Sequence, residues 1–193
     1  MAAKPYLSPE HFEQLYASNP DPWRFASSDY ERDKYAATLA ALPGTQFSRA
    51  FEVGCSIGVF TRQLAPRCDA LVGVDVAEAA LHQARERCAD QPHVQFARML
   101  VPQEWPEGGF DLILFSEVLY YLGIPGIHEA ARRTLGSLRP GGTVALVNWH
   151  GITDGACTGD EAAALFIADC APRLAPTVQH RAERYRIDVL TDT

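Results

Sequence analysis

The chain has 193 residues, 47% of them hydrophobic, enough to close one sizeable core and too few for two full ones. Its formal charge of -7, with no clustered run of Lys and Arg, argues against a broad nucleic-acid footprint and favours a small-molecule substrate. Five cysteines, Cys55, Cys68, Cys88, Cys157 and Cys170, form no CxxC pair and no metal-ligand spacing, so they read as reduced and no metal is expected.

In chain order, residues 1–9 carry no cationic patch followed by an apolar run, and no window approaches a membrane span, so a soluble cytoplasmic protein is expected. Helical patterns over 9–17 and 30–42 flank the breaker Asn19-Pro-Asp-Pro-Trp23, and Pro43-Gly44 stops the second. From Arg49 onward, short apolar runs at 50–53, 70–74, 94–97, 111–115 and 143–147 read as parallel strands. Between them, residues 77–88 repeat Ala80, Leu81, Ala84 and Cys88 at helical spacing, and a helix over 124–138 ends at Arg139-Pro-Gly-Gly142. A last helix over 160–170 precedes runs at 178–183 and 185–190 that read as an antiparallel edge hairpin. The expectation is an α/β, Rossmann-like single domain spanning 1–193, with a mostly parallel seven-stranded sheet over 49–193 and a helical lead-in over 1–48.

The segment Phe51-Glu-Val-Gly-Cys-Ser-Ile-Gly58 leaves a strand and opens a helix, where an α/β sheet presents bare N–H groups at its carboxyl edge. Gly54 and Gly58 would let a nucleoside approach the backbone, with Glu52 beneath them. Asp75 ends the run Leu71-Val-Gly-Val-Asp75, roughly twenty residues on, the spacing of a carboxylate that accepts both ribose hydroxyls. The loop lacks the Gly-x-Gly-x-x-Gly of a pyrophosphate site. Phe110-Asp-Leu-Ile-Leu-Phe-Ser-Glu117, followed by Leu138-Arg-Pro-Gly-Gly142, resembles the fourth and fifth strands of class I methyltransferases. A hydrolase elbow with Ser56 as nucleophile and His150 or His180 as base fits the same loop, although too little sheet precedes it.

The lead-in Asp21-Pro-Trp23 with Tyr30-Glu31 and Lys34-Tyr35, then Glu52-Val-Gly-Cys-Ser-Ile-Gly58 and Phe115-Ser-Glu-Val-Leu-Tyr120, resembles the nodulation protein S (NodS) family over about residues 12–190. That resemblance implies N-methylation of a glucosamine amine on a deacetylated chitooligosaccharide, with S-adenosylmethionine as donor. It implies that Glu52, Gly54, Ser56 and Gly58 line the cofactor, joined by Cys55 and Val76, that Asp75 holds the ribose, and that Ser116 lies with Glu117 at the methionine end. The acidic residue many methyltransferases carry after the third strand is replaced by Ala97-Arg-Met-Leu100, so adenine is left to backbone groups and Met99 or Leu100.

A methyl acceptor amine must be neutral to attack, which calls for a base; Glu117 is favoured and His150 is the alternative. Tyr120, Tyr121 and Trp149, placed at strand ends, would pack on a sugar ring or near the sulfonium. Tyr16, Trp23, Tyr30 and Tyr35 would form a lid, with Trp23 and Tyr30 touching substrate, or else anchor the lead-in; Arg32 and Lys34 read as solvated helix charges. O-methylation of a small metabolite and a non-catalytic cofactor-binding module are the competing functions. The oligomeric expectation is a monomer or a homodimer, without membrane or nucleic-acid partners.

Overall fold

The lead-in folds as two helices set by local caps in the computed structural model, which describes residues 7–171 and 173–192. The targeting reading of residues 1–6 lies outside the described residues. α1 (Pro9–Ser18) starts on Ser8, whose hydroxyl accepts from the His11 N–H, with Pro9 in the first turn where its missing N–H is harmless. Asp21 then folds the breaker by accepting from the N–H groups of Phe25 at 2.7 Å and Ala26 at 2.9 Å, which leads into α2 (Asp29–Ala41).

The apolar runs form a seven-stranded sheet in the order β3-β2-β1-β4-β5-β7-β6. Its strands are β1 (Ala50–Val53), β2 (Leu71–Asp75), β3 (Val94–Arg98), β4 (Phe110–Ser116), β5 (Leu138–Trp149), β6 (Leu174–Arg181) and β7 (Tyr185–Asp192). β1 to β5 run parallel, while β7 is antiparallel to both β5 and β6. Every residue of β1 is buried, as a central strand covered on both faces requires. β4 alternates its apolar side chains: Ile113 and Phe115 pack with α5 (Gly123–Ser137) and α6 (Gly159–Cys170), whereas Leu112 and Leu114 pack with α2 and α3 (Val59–Leu64). α1 lies on α4 (Glu78–Arg87), where Glu13 accepts from the N–H of Glu78 at 2.6 Å and so caps the helix that Ala77 leaves uncapped.

Three boundaries differ from expectation. Arg139-Pro-Gly-Gly142 lies inside β5 rather than ending a helix, because a register shift between Phe110 and Leu112 and the positive φ of Gly141 absorb it. The hairpin begins earlier, at Leu174, since β6 exposes mostly polar side chains and offers no apolar run to mark its start. Tyr120 and Tyr121 sit on a 3-10 turn (Leu119–Tyr121) beyond β4 instead of at a strand end.

Candidate functional site

β1 is flanked by β2 on one side and β4 on the other, so the connections diverge there and leave a crevice at the carboxyl ends of the strands. A cavity of about 410 Å³ occupies it, within the range of small-molecule sites. The cavity brings together Gly54, Ser56, Asp75, Val76, Met99, Leu100, Ser116 and Glu117 from the carboxyl edge. Trp23, Tyr30, Tyr120, Tyr121 and Trp149 line it as well. Glu52, Cys55, Gly58 and His150 do not.

The loop after β1 explains part of that division. Gly54 has φ +80° and an added Cβ there would stand 2.9 Å from Ser116 O; Gly58 has φ +74° and its Cβ would stand 2.9 Å from the Cα of Ala84. Both glycines therefore serve the close approach of β4 and α4; Gly54 borders the cavity as well, whereas Gly58 packs on α4 away from it. Glu52 and Cys55 border a side cavity of about 20 Å³ beneath the loop, where burial pushes the Glu52 carboxyl up to about 7 against the pull of the Thr61 hydroxyl.

Asp75 accepts the Ser56 N–H on one carboxylate oxygen and the Ala77 N–H on the other, both at 3.0 Å. Burial raises its pKa, while those N–H groups oppose the shift. Each oxygen keeps a further lone pair, the pair of acceptors a ribose diol needs. The Met99 N–H donates to Asp75 O at 3.1 Å and the Leu100 N–H to Glu104 at 2.6 Å. Neither N–H is free for adenine, so the Met99 and Leu100 side chains are what this edge offers.

The Ser56 hydroxyl is hydrogen-bonded to the Tyr16 hydroxyl, and no histidine lines the cavity among the described residues, which leaves a hydrolase without its base. His150 follows Trp149 by one residue and points to the other side of the strand end, its Nε2 3.1 Å from Ala182 O. His180 lies beside Tyr185 on the same hairpin. The structure therefore does not bring His150, the alternative base, to the cavity.

Glu117 directly follows β4 with φ +55°, and both of its carboxylate oxygens are hydrogen-bonded. Oε1 receives Lys34 Nζ at 2.6 Å, and Oε2 accepts from the Tyr120 hydroxyl at 2.9 Å and the Trp149 N–H at 2.6 Å. Lys34 also lies 2.9 Å from Glu31 Oε2, and its side chain is only 2% exposed. Burial pulls the Lys34 ammonium down, but Glu117 and Glu31 outweigh it and hold its pKa above the ordinary lysine value. Arg32 is a solvated helix charge paired with Asp29, as expected, whereas Lys34 is the centre of a buried ion cluster. One signal was available: Glu31, Lys34, Tyr35 and Thr38, the buried face of α2, recur at i, i+3, i+4 and i+7.

Lead-in aromatics wall the cavity opposite the sheet. Phe12, Tyr16, Trp23, Phe25 and Tyr30 line it, whereas Tyr35 packs in the core on Phe60 at 5.3 Å. Tyr30 meets Trp149 edge-on at 6.1 Å. Phe12, Phe25, Ile152 and Asp154 were missed from the sequence; the first two sit beside the lead-in motif, and the last two lie on a loop that carries no pattern.

A seven-stranded sheet of this order, with its last strand pair reversed and its cavity beside β1, defines the class I methyltransferase fold. Residues 11–151 match the family described as Nodulation protein S (NodS). Nodulation protein S of Rhizobium tropici is 40% identical over 124 residues, covering 63% of this chain and 52% of the relative. A crystal structure of a candidate methyltransferase from Pseudomonas syringae superposes with a TM-score of 0.75 at 33% identity, over 84% of this chain and 98% of that one. N-methyltransferase NodS from Bradyrhizobium japonicum WM9, solved with S-adenosyl-L-homocysteine, shares the fold with a TM-score of 0.81 at 24% identity, over 95% and 98% of the two chains. The chain belongs to the NodS family. It spans about half the length of the curated relatives it matches. Among the described residues, no helix is long and apolar enough to cross a membrane.

Proposed function

We propose that this chain is an S-adenosylmethionine-dependent N-methyltransferase acting on an amine, specifically the amine of a glucosamine or deacetylated chitooligosaccharide-like acceptor. The observation that carries the reading is Asp75, whose two oxygens keep acceptor capacity at the floor of a 410 Å³ cavity at the sheet's switch point. Family membership and the N-methyltransferase relative described above support the transfer to nitrogen.

The sulfonium supplies the reactive methyl when the cofactor is bound. The protein's part is to orient and to exclude water. Asp75 would hold the ribose, and Met99 and Leu100 would flank adenine. The described part of the lead-in, residues 7–48, acts as a lid of aromatic rings on the Rossmann-like core that begins at residue 49. Glu31 and Glu117 set two carboxylates against one Lys34 ammonium, so the acceptor end carries an excess of negative charge that favours cationic ligands. With Oε2 of Glu117 holding two donors and Oε1 paired with the buried Lys34 ammonium, which favours the ionised carboxylate, we assign it to anchoring the lid and shaping that charge rather than to taking a proton.

The test is transfer of labelled methyl from S-adenosylmethionine to glucosamine, a chitosan dimer and a panel of hydroxylated metabolites, with the methylated atom located by NMR. Methylated nitrogen is expected. Transfer to hydroxyl oxygen alone would overturn the N-methyl reading, and cofactor binding without transfer to any amine or hydroxyl would point to a non-catalytic module.

A further inference from the structure

Among the described residues, the carboxylates lining the cavity are Glu31, Asp75, Glu117 and Asp154. Glu31 is paired with Lys34, Asp75 holds two backbone N–H groups, and Glu117 holds Lys34, Tyr120 and the Trp149 N–H. Asp154 has no hydrogen bond or ion pair to the protein and is exposed at the cavity's mouth. Its position is nonetheless fixed. The connection over residues 150–158 is tied down by the Ala156 N–H donating to Tyr120 O at 2.9 Å and by the Thr153 hydroxyl donating to Cys157 O at 2.8 Å. Gly155 lies so close to Tyr120 O that a Cβ there would collide with it.

These ties hold the Asp154 charge near Tyr121. Burial first, and Asp154 next, push the Tyr121 hydroxyl up to about 12. Ile152, two residues earlier and 93% exposed, also borders the cavity and gives the same loop an apolar edge. A loop that carries one unpaired carboxylate, an apolar edge and a neighbouring tyrosine matches an ammonium on a ring with apolar faces.

We propose that Asp154 is the residue that binds the acceptor's ammonium group and accepts its proton, an assignment that rests on the amine-methylation reading above. The ammonium loses one proton to the Asp154 carboxylate. The freed nitrogen lone pair then forms the N–C bond to the methyl, and the electron pair of the breaking S–C bond stays on sulfur, leaving S-adenosylhomocysteine and a methylated ammonium. That product leaves as the methylated ammonium and Asp154 returns its proton to solvent, so one proton is released per methyl transferred. The other titratable groups that line this cavity are Tyr120 and Tyr121 on the adjoining turn, Glu117 after β4, Asp75 at the end of β2, Tyr16 on α1, and Tyr30, Glu31 and Lys34 on α2.

The experiment compares wild type, Asp154→Asn and Asp154→Glu for S-adenosylhomocysteine affinity and for methyl transfer to a chitosan dimer between about pH 6 and 10. Because Asp154 makes no hydrogen bond or ion pair within the protein, the fold and the affinity for S-adenosylhomocysteine are expected to stay within about twofold of wild type. For Asp154→Asn, kcat/KM should fall by about a hundredfold near neutrality and by progressively less at alkaline pH, where the amine arrives already neutral. Asp154→Glu should recover part of the loss. An Asp154→Asn profile that follows wild type within about twofold at every pH would overturn the assignment. A wild-type protein that binds S-adenosylhomocysteine but methylates no amine would overturn the amine reading and this assignment with it, whereas a wild type active on the dimer isolates the test to Asp154.

Discussion

Replacing Lys34 by Met removes the single cation from a buried cluster of two carboxylates. Its side chain is 2% exposed, and those of Glu31 and Glu117 are 8% and 15% exposed, so water is poorly placed to take over its role. Glu31 then keeps no partner of opposite charge, and Glu117 keeps only the Tyr120 hydroxyl and the Trp149 N–H. Removing one member of such a set costs about 3–5 kcal/mol, because the remaining charge is left buried and uncompensated. For a chain of this size, that corresponds to a fall in Tm of roughly 6–20 °C, at about 2–4 °C per kcal/mol. Urea denaturation near neutrality measures the loss directly, and the same substitution in a Glu31→Gln, Glu117→Gln background should cost far less, since no unpaired charge is created. The sign with pH also follows. The folded Lys34 pKa lies above the unfolded value of 10.5, so its contribution is complete below 10.5 and disappears as pH rises through the folded value. A wild-type background loss under about 1 kcal/mol would refute the claim that the cluster joins the lid to the sheet.

Two further outcomes follow from β1 and the loop after it. The Glu52 carboxyl titrates near 7 when folded against 4.5 when unfolded, so the native state holds the proton more tightly and stability falls across that window by about 3 kcal/mol. Glu52→Gln should flatten this dependence in urea melts at the two ends of the window; an unchanged slope would show that Glu52 is not its source. Gly58→Ala combines a left-handed φ with a Cβ 2.9 Å from the Ala84 backbone and should cost about 2–4 kcal/mol. Gly44→Ala has a φ of +74° as well but open space, and should cost only about 1 kcal/mol; equal losses at both positions would contradict the packing role given to Gly58.

β1, β2, β4 and the second half of β5 were readable because each is largely buried and so shows as a continuous apolar run; β3, an edge strand with no buried residue, showed only through Val94, Phe96 and Ala97, and β5 begins five residues before its apolar run. β6 was readable only in its second half, because an edge strand with exposed side chains has no such signal. Asp75 could be found because its place at the end of β2 is fixed by spacing from the glycine loop. His150 could not be excluded from spacing alone, since one residue past a strand end reverses the side chain's direction. Lys34 was misread for a different reason. Apolar periodicity finds buried faces made of hydrophobic residues, and α2 buries a face that carries Glu31, Lys34 and Thr38. Asp154 lies in a connection without regular structure, so only the accounting of partners in three dimensions separates it from the other acidic residues.

Calorimetric titration of the protein with S-adenosylhomocysteine, for wild type and Asp75→Asn, bears most directly on the central claim that the β1 loop and Asp75 grip a nucleoside. Saturable binding at one site per chain is expected for wild type, weakened by about tenfold or more, roughly 1.4 kcal/mol, in the variant that loses one ribose acceptor and the charge. Absence of binding by wild type, or a variant that binds equally well, would contradict it.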